Sequence, residues 1–140
     1  MDDSIRLDGF DALRLADIAR IRSSFKNRAF YVRGLASKRR TAATNASYNL
    51  ISTRALLESI QANNALLTIE REAGDADGTD VGRITSFARH DCAMRTISPG
   101  AVWRSGRERI AYKDITRIGF GSEYDETIAA VAQLVSPLWR

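Results

Sequence analysis

The feature that most constrains this chain is the close, regular interruption of its apolar groups between residues 66 and 120. Leu67 and Ile69, then Val81, Ile84 and Phe87, then Cys92, Met94 and Ile97 form short apolar sets. Turn signals separate them at residues 74–80, Ser98-Pro99-Gly100, Ser105-Gly106 and Lys113-Asp114. Short strands broken by turns about every 8 to 12 residues read as an all-β sandwich or barrel. A sheet this small protects its edges by curling on itself. The pattern therefore predicts an α+β chain, mainly β, with a small SH3-like or Sm-like barrel. The strands are too short for the oligonucleotide-binding barrel. Strands are expected near 66–72, 81–88, 92–97, 109–112 and 115–120. A final helix opens on Ser122-Glu123-Tyr124-Asp125, a capping box with Asp in place of Glu. Its apolar stripe is expected to be Tyr124, Ile128, Val131, Ala132 and Val135. Trp103 and Tyr124 are expected in or at the rim of the core.

The first half reads differently. Ile5 and Leu7 alternate with polar neighbours and lead into Asp8-Gly9, a hairpin-type turn signal, so residues 4–22 are expected to be β structure. A helix over residues 25–33 would be capped by Ser24 and ended by Gly34. Residues 36–51 are small, polar and aperiodic, the composition of a linker. Ser52 then caps a helix over 53–62 with Leu56, Leu57 and Ile60 as its buried stripe, and Asn63-Asn64 ends it. The expected division is 1–51, an incomplete β unit with a basic helix and linker, and 52–140, a helix plus barrel plus terminal helix.

Charge follows that division. Residues 18–57 contain no Asp or Glu but hold Arg20, Arg22, Lys26, Arg28, Arg33, Lys38, Arg39, Arg40 and Arg54. The net charge of the whole chain is +4, so the remainder is acidic overall. An internal echo links the two parts. Asp17-Ile18-Ala19-Arg20-Ile21 returns as Asp114-Ile115-Thr116-Arg117-Ile118, four of five residues alike at an offset of 97. Both copies follow a short strand, which points to a duplicated half-unit. Asp17 and Asp114 are expected to play equivalent parts, as Asx-turns or as ion-pair partners of Arg20 and Arg117.

The segments LDGFDALRLADIARI, STRALLESI, LLTIERE, VGRI and YKDITRIGFGSEYDETI together resemble a group of uncharacterised bacterial proteins. In that group two small Sm-like or SH3-like barrel units stand in tandem. The resemblance covers most of residues 7–134, and its motifs are structural. It implies a fold and carries over no activity. Relatives have further strands before the LDG segment, so the resemblance implies a first barrel that lacks strands and offers an open edge.

Little in the chain resembles catalytic machinery. A single cysteine excludes an internal disulfide and fits a reducing, cytoplasmic setting. A single histidine excludes histidine-rich metal sites. His90-Asp91-Cys92 is the one cluster resembling a nucleophile and base, and its plain reading is a strand start with a buried thiol. Asp75, Asp77, Gly78 and Asp80 fit a hairpin better than a calcium loop, since the glycine position and the terminal glutamate are wrong. Glu123, Asp125 and Glu126 suit the first turn of a helix. Gly119-Phe120-Gly121 is too short for a phosphate loop. No cofactor, metal or catalytic residue is expected, and no apolar run approaches the roughly 18 residues of a membrane span.

What remains is binding. Arg28, Arg33, Lys38, Arg39, Arg40 and Tyr48 are the candidate contacts, for a protein surface or for nucleic acid, where Tyr48, Phe30 and Tyr31 could stack on bases. The expected function is a non-enzymatic binding or assembly module that forms a homodimer and contacts protein. RNA binding through the basic segment 20–54 is the alternative.

Overall fold

A computed structural model describes residues 8–22, 29–30, 32–33, 36, 47–72 and 78–135. In chain order the elements are β1 (Phe10–Leu13), a 3-10 turn at Leu15–Asp17, α1 (Thr53–Asn63), β2 (Leu67–Arg71), β3 (Gly78–Phe87), β4 (Asp91–Thr96), β5 (Glu108–Ala111), a second 3-10 turn at Tyr112–Asp114, β6 (Arg117–Phe120) and α2 (Glu123–Val135). The architecture is α+β. The strands form one antiparallel sheet in the order β1-β6-β2-β3-β4-β5. Among the described residues the sheet is open, with β1 and β5 at its edges, where the turn rhythm suggests closure.

The helix α1 forms for the reasons its sequence states. Ser52 Oγ accepts from the Ala55 N–H at 3.1 Å, which satisfies a donor that a helix start leaves unpaired. Asn64 ends it by donating backbone N–H and side-chain Nδ2 to the Ile60 carbonyl. Leu57 and Ile60 are fully buried. They meet Leu67 and Ile69 of β2, Ile84 of β3, Cys92 and Met94 of β4, Ile110 of β5, and Ile115, Ile118 and Phe120 around β6. Each fully buried Leu or Ile side chain contributes about 1.5 to 3 kcal/mol of burial free energy.

Val81, Ile84 and Phe87 are three residues apart, a spacing foreign to a flat strand. A β-bulge resolves it. Ile84 opposes Met94 and Ser86 opposes Ala93, so Thr85 is an extra residue. The insertion shifts the phase, and Ile84 and Phe87 both reach the α1 core. Gly82 lies two residues before the bulge. A Cβ there would run into the Arg95 carbonyl oxygen of β4, so only glycine lets the two backbones pass.

A second cluster contains Leu66, Ile97, Ala101 and, from α2, Ile128, Ala129 and Ala132, with Val81 and Trp103 against it. Trp103 is half-buried in an isolated bridge to Ile97, and the Arg95 guanidinium lies 5.3 Å from its ring centroid. The rim placement of Trp103 holds. That of Tyr124 does not: it is 52% exposed, as Val131 is at 41%. Ile128 and Ala132 of the expected stripe are buried, and with Asp125 and Ala129 they form the buried face of α2, which is turned away from Tyr124 and Val131. The cap sets this phase. Ser122 Oγ accepts from the Asp125 N–H at 3.1 Å, and Asp125 is buried at the start of the stripe.

The N-terminal expectations resolve in part. Ile5, Leu7, Ser24 and Gly34 lie outside the described residues. Ala29, Phe30, Val32 and Arg33 are helical, and so is Ala36, beyond the expected end. The strand expected before Asp8-Gly9 lies outside the described residues, so the local hairpin is not seen among them. β1 pairs with β6, more than 100 residues away, with Phe10 opposite Phe120 and Leu13 opposite Arg117. Asp8 Oδ1 accepts from the Glu123 N–H at 2.6 Å, at the start of α2. Gly9 adopts φ +75°, and a Cβ on it would sit 2.8 Å from the Phe120 carbonyl oxygen.

Candidate interaction surface

β1 is a strand of the N-terminal segment laid on the edge of the sheet built by residues 67–120. Several side chains fix it there. Arg117 of β6 grips Asp11 through Nε and Nη2 at 2.9 and 3.0 Å, and reaches Glu70 of β2 through Nη1 at 3.0 Å. One guanidinium thus ties three neighbouring strands. The bond to Asp11 is the main reason its proton is held more firmly than in a free arginine. Phe10 stacks on Phe120 with ring centroids 5.6 Å apart. Arg14, just past β1, donates Nη2 to the Tyr112 carbonyl at 3.0 Å and Nη1 to Asp17 at 3.1 Å.

That contact brings together the two copies of the internal echo, and their likeness extends beyond the matching letters. The 3-10 turn Leu15–Asp17 and the turn Tyr112–Asp114 fall at the same offset of 97. Each ends with the N–H of the following isoleucine, Ile18 or Ile115, bonded to the first carbonyl of the turn, from Leu15 or Tyr112. Gly9 and Gly106, also 97 apart, both have positive φ, +75° and +96°. β1 and β5 are the corresponding strands. Asp17 and Asp114 therefore hold equivalent positions. The ion-pair partner of Asp17 is Arg14 three residues before it, not the Arg20 of the ion-pair alternative, and Arg117 pairs with Asp11 and Glu70.

The equivalence stops after the turns. Arg117–Phe120 form β6, with Ile118 only 4% exposed. Residues 20–22, at the corresponding positions, belong to no strand, and Ile21 is 79% exposed.

A groove of about 750 Å³ opens beside β1. Phe10, Leu13, Tyr48, Leu56, Ile118 and Phe120 are among the side chains that line it. Tyr48 lies in the segment read as a linker, yet it is half-buried with its ring edge-on to Phe120 at 5.0 Å. Asn49 donates its N–H to Ser59 Oγ of α1 at 3.0 Å, which anchors the end of that segment. Core packing with Phe120 thus occupies a ring considered for base stacking. Arg33 is exposed and donates Nε to the Ala29 carbonyl of its own helical turn. Arg28, Lys38, Arg39, Arg40 and Tyr31 lie outside the described residues.

The remaining candidates have structural places. His90 is exposed in the turn between β3 and β4, while Cys92 is fully buried on β4. Burial, aided by the charge of Asp91, pushes the Cys92 thiol up to about 11, so it stays protonated and unreactive at neutral pH. Asp80 of β3 pairs with Arg71 of β2. Asp75 and Asp77 lie outside the described residues. Among the described residues no three His, Cys, Asp or Glu side chains converge on a metal-sized site, and no helix is long and apolar enough to cross a membrane.

Sequence reasoning missed Gln61. Its Oε1 accepts from the Ile84 N–H at 2.7 Å and its Nε2 donates to the Ile84 carbonyl at 2.9 Å. β2 pairs with β3 only as far as Gly82. Gln61 takes up the strand's polar groups where β2 gives out, beside the bulge. Compared with protein-family models, curated proteins and solved structures, the chain matches none.

Proposed function

We propose that this chain is a non-enzymatic assembly module that works through protein–protein contacts made by strand addition. The observation that carries the reading is the way the sheet is built. A strand from the N-terminal end of the chain, ahead of the basic segment, is added to the edge of the C-terminal strands, and the sheet ends in β1 and β5, each paired on one side among the described residues. Unpaired strand edges are templates for another chain. The 3-10 turn between β5 and β6, and the return of β6 to pair with β2, support the finer reading of residues 52–140 as an SH3-like or Sm-like unit. Charge favours self-association as well, since the basic segment 18–57 complements an acidic remainder. The basic residues Arg28, Arg33, Lys38, Arg39 and Arg40 then flank the contact and guide approach.

Light scattering across micromolar concentrations tests the reading, with and without added RNA. A mass near twice 15.5 kDa that persists in high salt supports strand and apolar contacts. A mass that stays at 15.5 kDa on concentrating contradicts it, and a mass gain only on adding RNA favours the nucleic-acid alternative.

A further inference from the structure

We infer that the β5 edge is completed by residues 20–22 of a second copy of this chain, in the register that β1 and β6 already display. This rests on the assembly reading above and names its partner surface.

The pairing of β1 with β6 has a counterpart at β5. β1 and β5 are equivalent strands, followed by equivalent 3-10 turns at an offset of 97. By the same offset, residues 117–119 of β6 correspond to residues 20–22. β1 pairs antiparallel with β6: Asp11 opposite Gly119, Ala12 opposite Ile118, Leu13 opposite Arg117. Exchanging the roles of the two copies places Glu108 opposite Arg22, Arg109 opposite Ile21 and Ile110 opposite Arg20.

The charges follow the transposition. Asp11 becomes Glu108 and Arg117 becomes Arg20. The bidentate Arg117–Asp11 ion pair thereby reappears as Arg20 of the second copy against Glu108. Arg22 adds a second cation opposite the same carboxylate. Both halves stand ready for this. Among the described residues β5 pairs only with β4, and Glu108 is exposed. Arg20, Ile21 and Arg22 are exposed and in no strand, while Ile118, the counterpart of Ile21, is buried. Two chains can exchange these contacts reciprocally, which closes a dimer.

The test is a charge-reversal pair. Glu108→Arg and Arg20→Glu each turn an attraction into a repulsion at both junctions of the dimer. Both sites are exposed, so the fold is unaffected, with circular dichroism and urea unfolding as controls. Each single variant is expected to weaken dimerisation about tenfold or more in sedimentation. An equimolar mixture of the two variants is expected to regain the wild-type mass. In the mixed dimer the two substituted positions face each other with opposite charges at one junction, and the other junction is native. If either single variant dimerises like the wild type, or if the mixture fails to recover, this pairing is wrong while the assembly reading stands. A wild type that is monomeric throughout overturns both.

Discussion

Replacing Gln61 with alanine removes one side chain and orphans two backbone groups. Both hydrogen bonds go to Ile84, which is 3% exposed and sits where β2 no longer covers β3. A buried backbone group that loses its partner costs about 1 to 3 kcal/mol, and each neutral bond contributes about 1 kcal/mol net. Gln61 is itself half-buried, so water replaces part of the loss. The expected cost of Gln61→Ala is therefore about 2 to 3 kcal/mol. With a urea slope of about 1 to 3 kcal/mol per molar, the unfolding midpoint falls by about 0.7 to 3 M with the slope unchanged. Gln61→Glu keeps an acceptor for the Ile84 N–H but sets a negative charge against the Ile84 carbonyl, so it rescues little. Asn63→Ala is the control. Asn63 caps the Ser59 carbonyl from the exposed side of α1, and its loss should cost under about 0.5 kcal/mol. A Gln61→Ala midpoint within error of that control would refute the reasoning, for it would mean the bulge does not depend on this side chain.

Gly82→Ala should cost more than about 3 kcal/mol or prevent folding, because its Cβ meets the Arg95 carbonyl, whereas Gly78→Ala finds only the Arg71 side-chain end at 3.9 Å and should fall within about 1 kcal/mol of wild type in the same urea assay. Ile128→Ala should cost about 2 to 4 kcal/mol and Tyr124→Ala under about 0.5 kcal/mol, which reverses the order a Tyr124-centred stripe would give. Cys92 should resist thiol reagents in the native protein at pH 8 and react on unfolding. Its folded pKa of about 11 lies above the value near 9 of an exposed thiol. The unfolded state therefore loses this proton first, so its contribution to stability is full below pH 9 and is lost as pH rises towards 11. Cys92→Ala should flatten that part of the stability–pH curve.

Local signals carried much of this fold. Ser52 as a cap and the Leu56, Leu57, Ile60 spacing specify α1, and Ser122 specifies the start of α2, because capping and periodicity act over a few residues. The short strands of the second half followed their turn signals in the same way, except that β3 starts at Gly78, inside the turn expected over residues 74–80. What escaped depends on long-range partners. Leu7-Asp8-Gly9-Phe10 looks like half of a hairpin, yet Gly9 serves a close approach to Phe120 and Asp8 serves Glu123. The exposure of Tyr124 follows from a turn of the buried face towards Asp125 and Ala129, with Ile128 and Ala132 kept, that its apolar neighbours cannot signal. Thr85 as a bulge is faintly legible in the three-residue spacing of Val81, Ile84 and Phe87, and Gln61 carries no sequence signal at all. Of the surface, Tyr48 was recognisable as an aromatic within a polar segment, but its role against Phe120 needed the third dimension. The echo of Asp17 and Asp114 was visible in five residues, and the structure extends it to a glycine, a strand and a turn.

Amide hydrogen exchange of Glu108–Ala111 shows whether a second chain completes the β5 edge. The amides that β4 leaves unbonded should exchange quickly in dilute protein and become protected as concentration rises through the dimerisation range, together with the amides of residues 20–22. Protection at β5 and at residues 20–22 that stays the same at every concentration, while the rest of the sheet remains protected, would contradict the account.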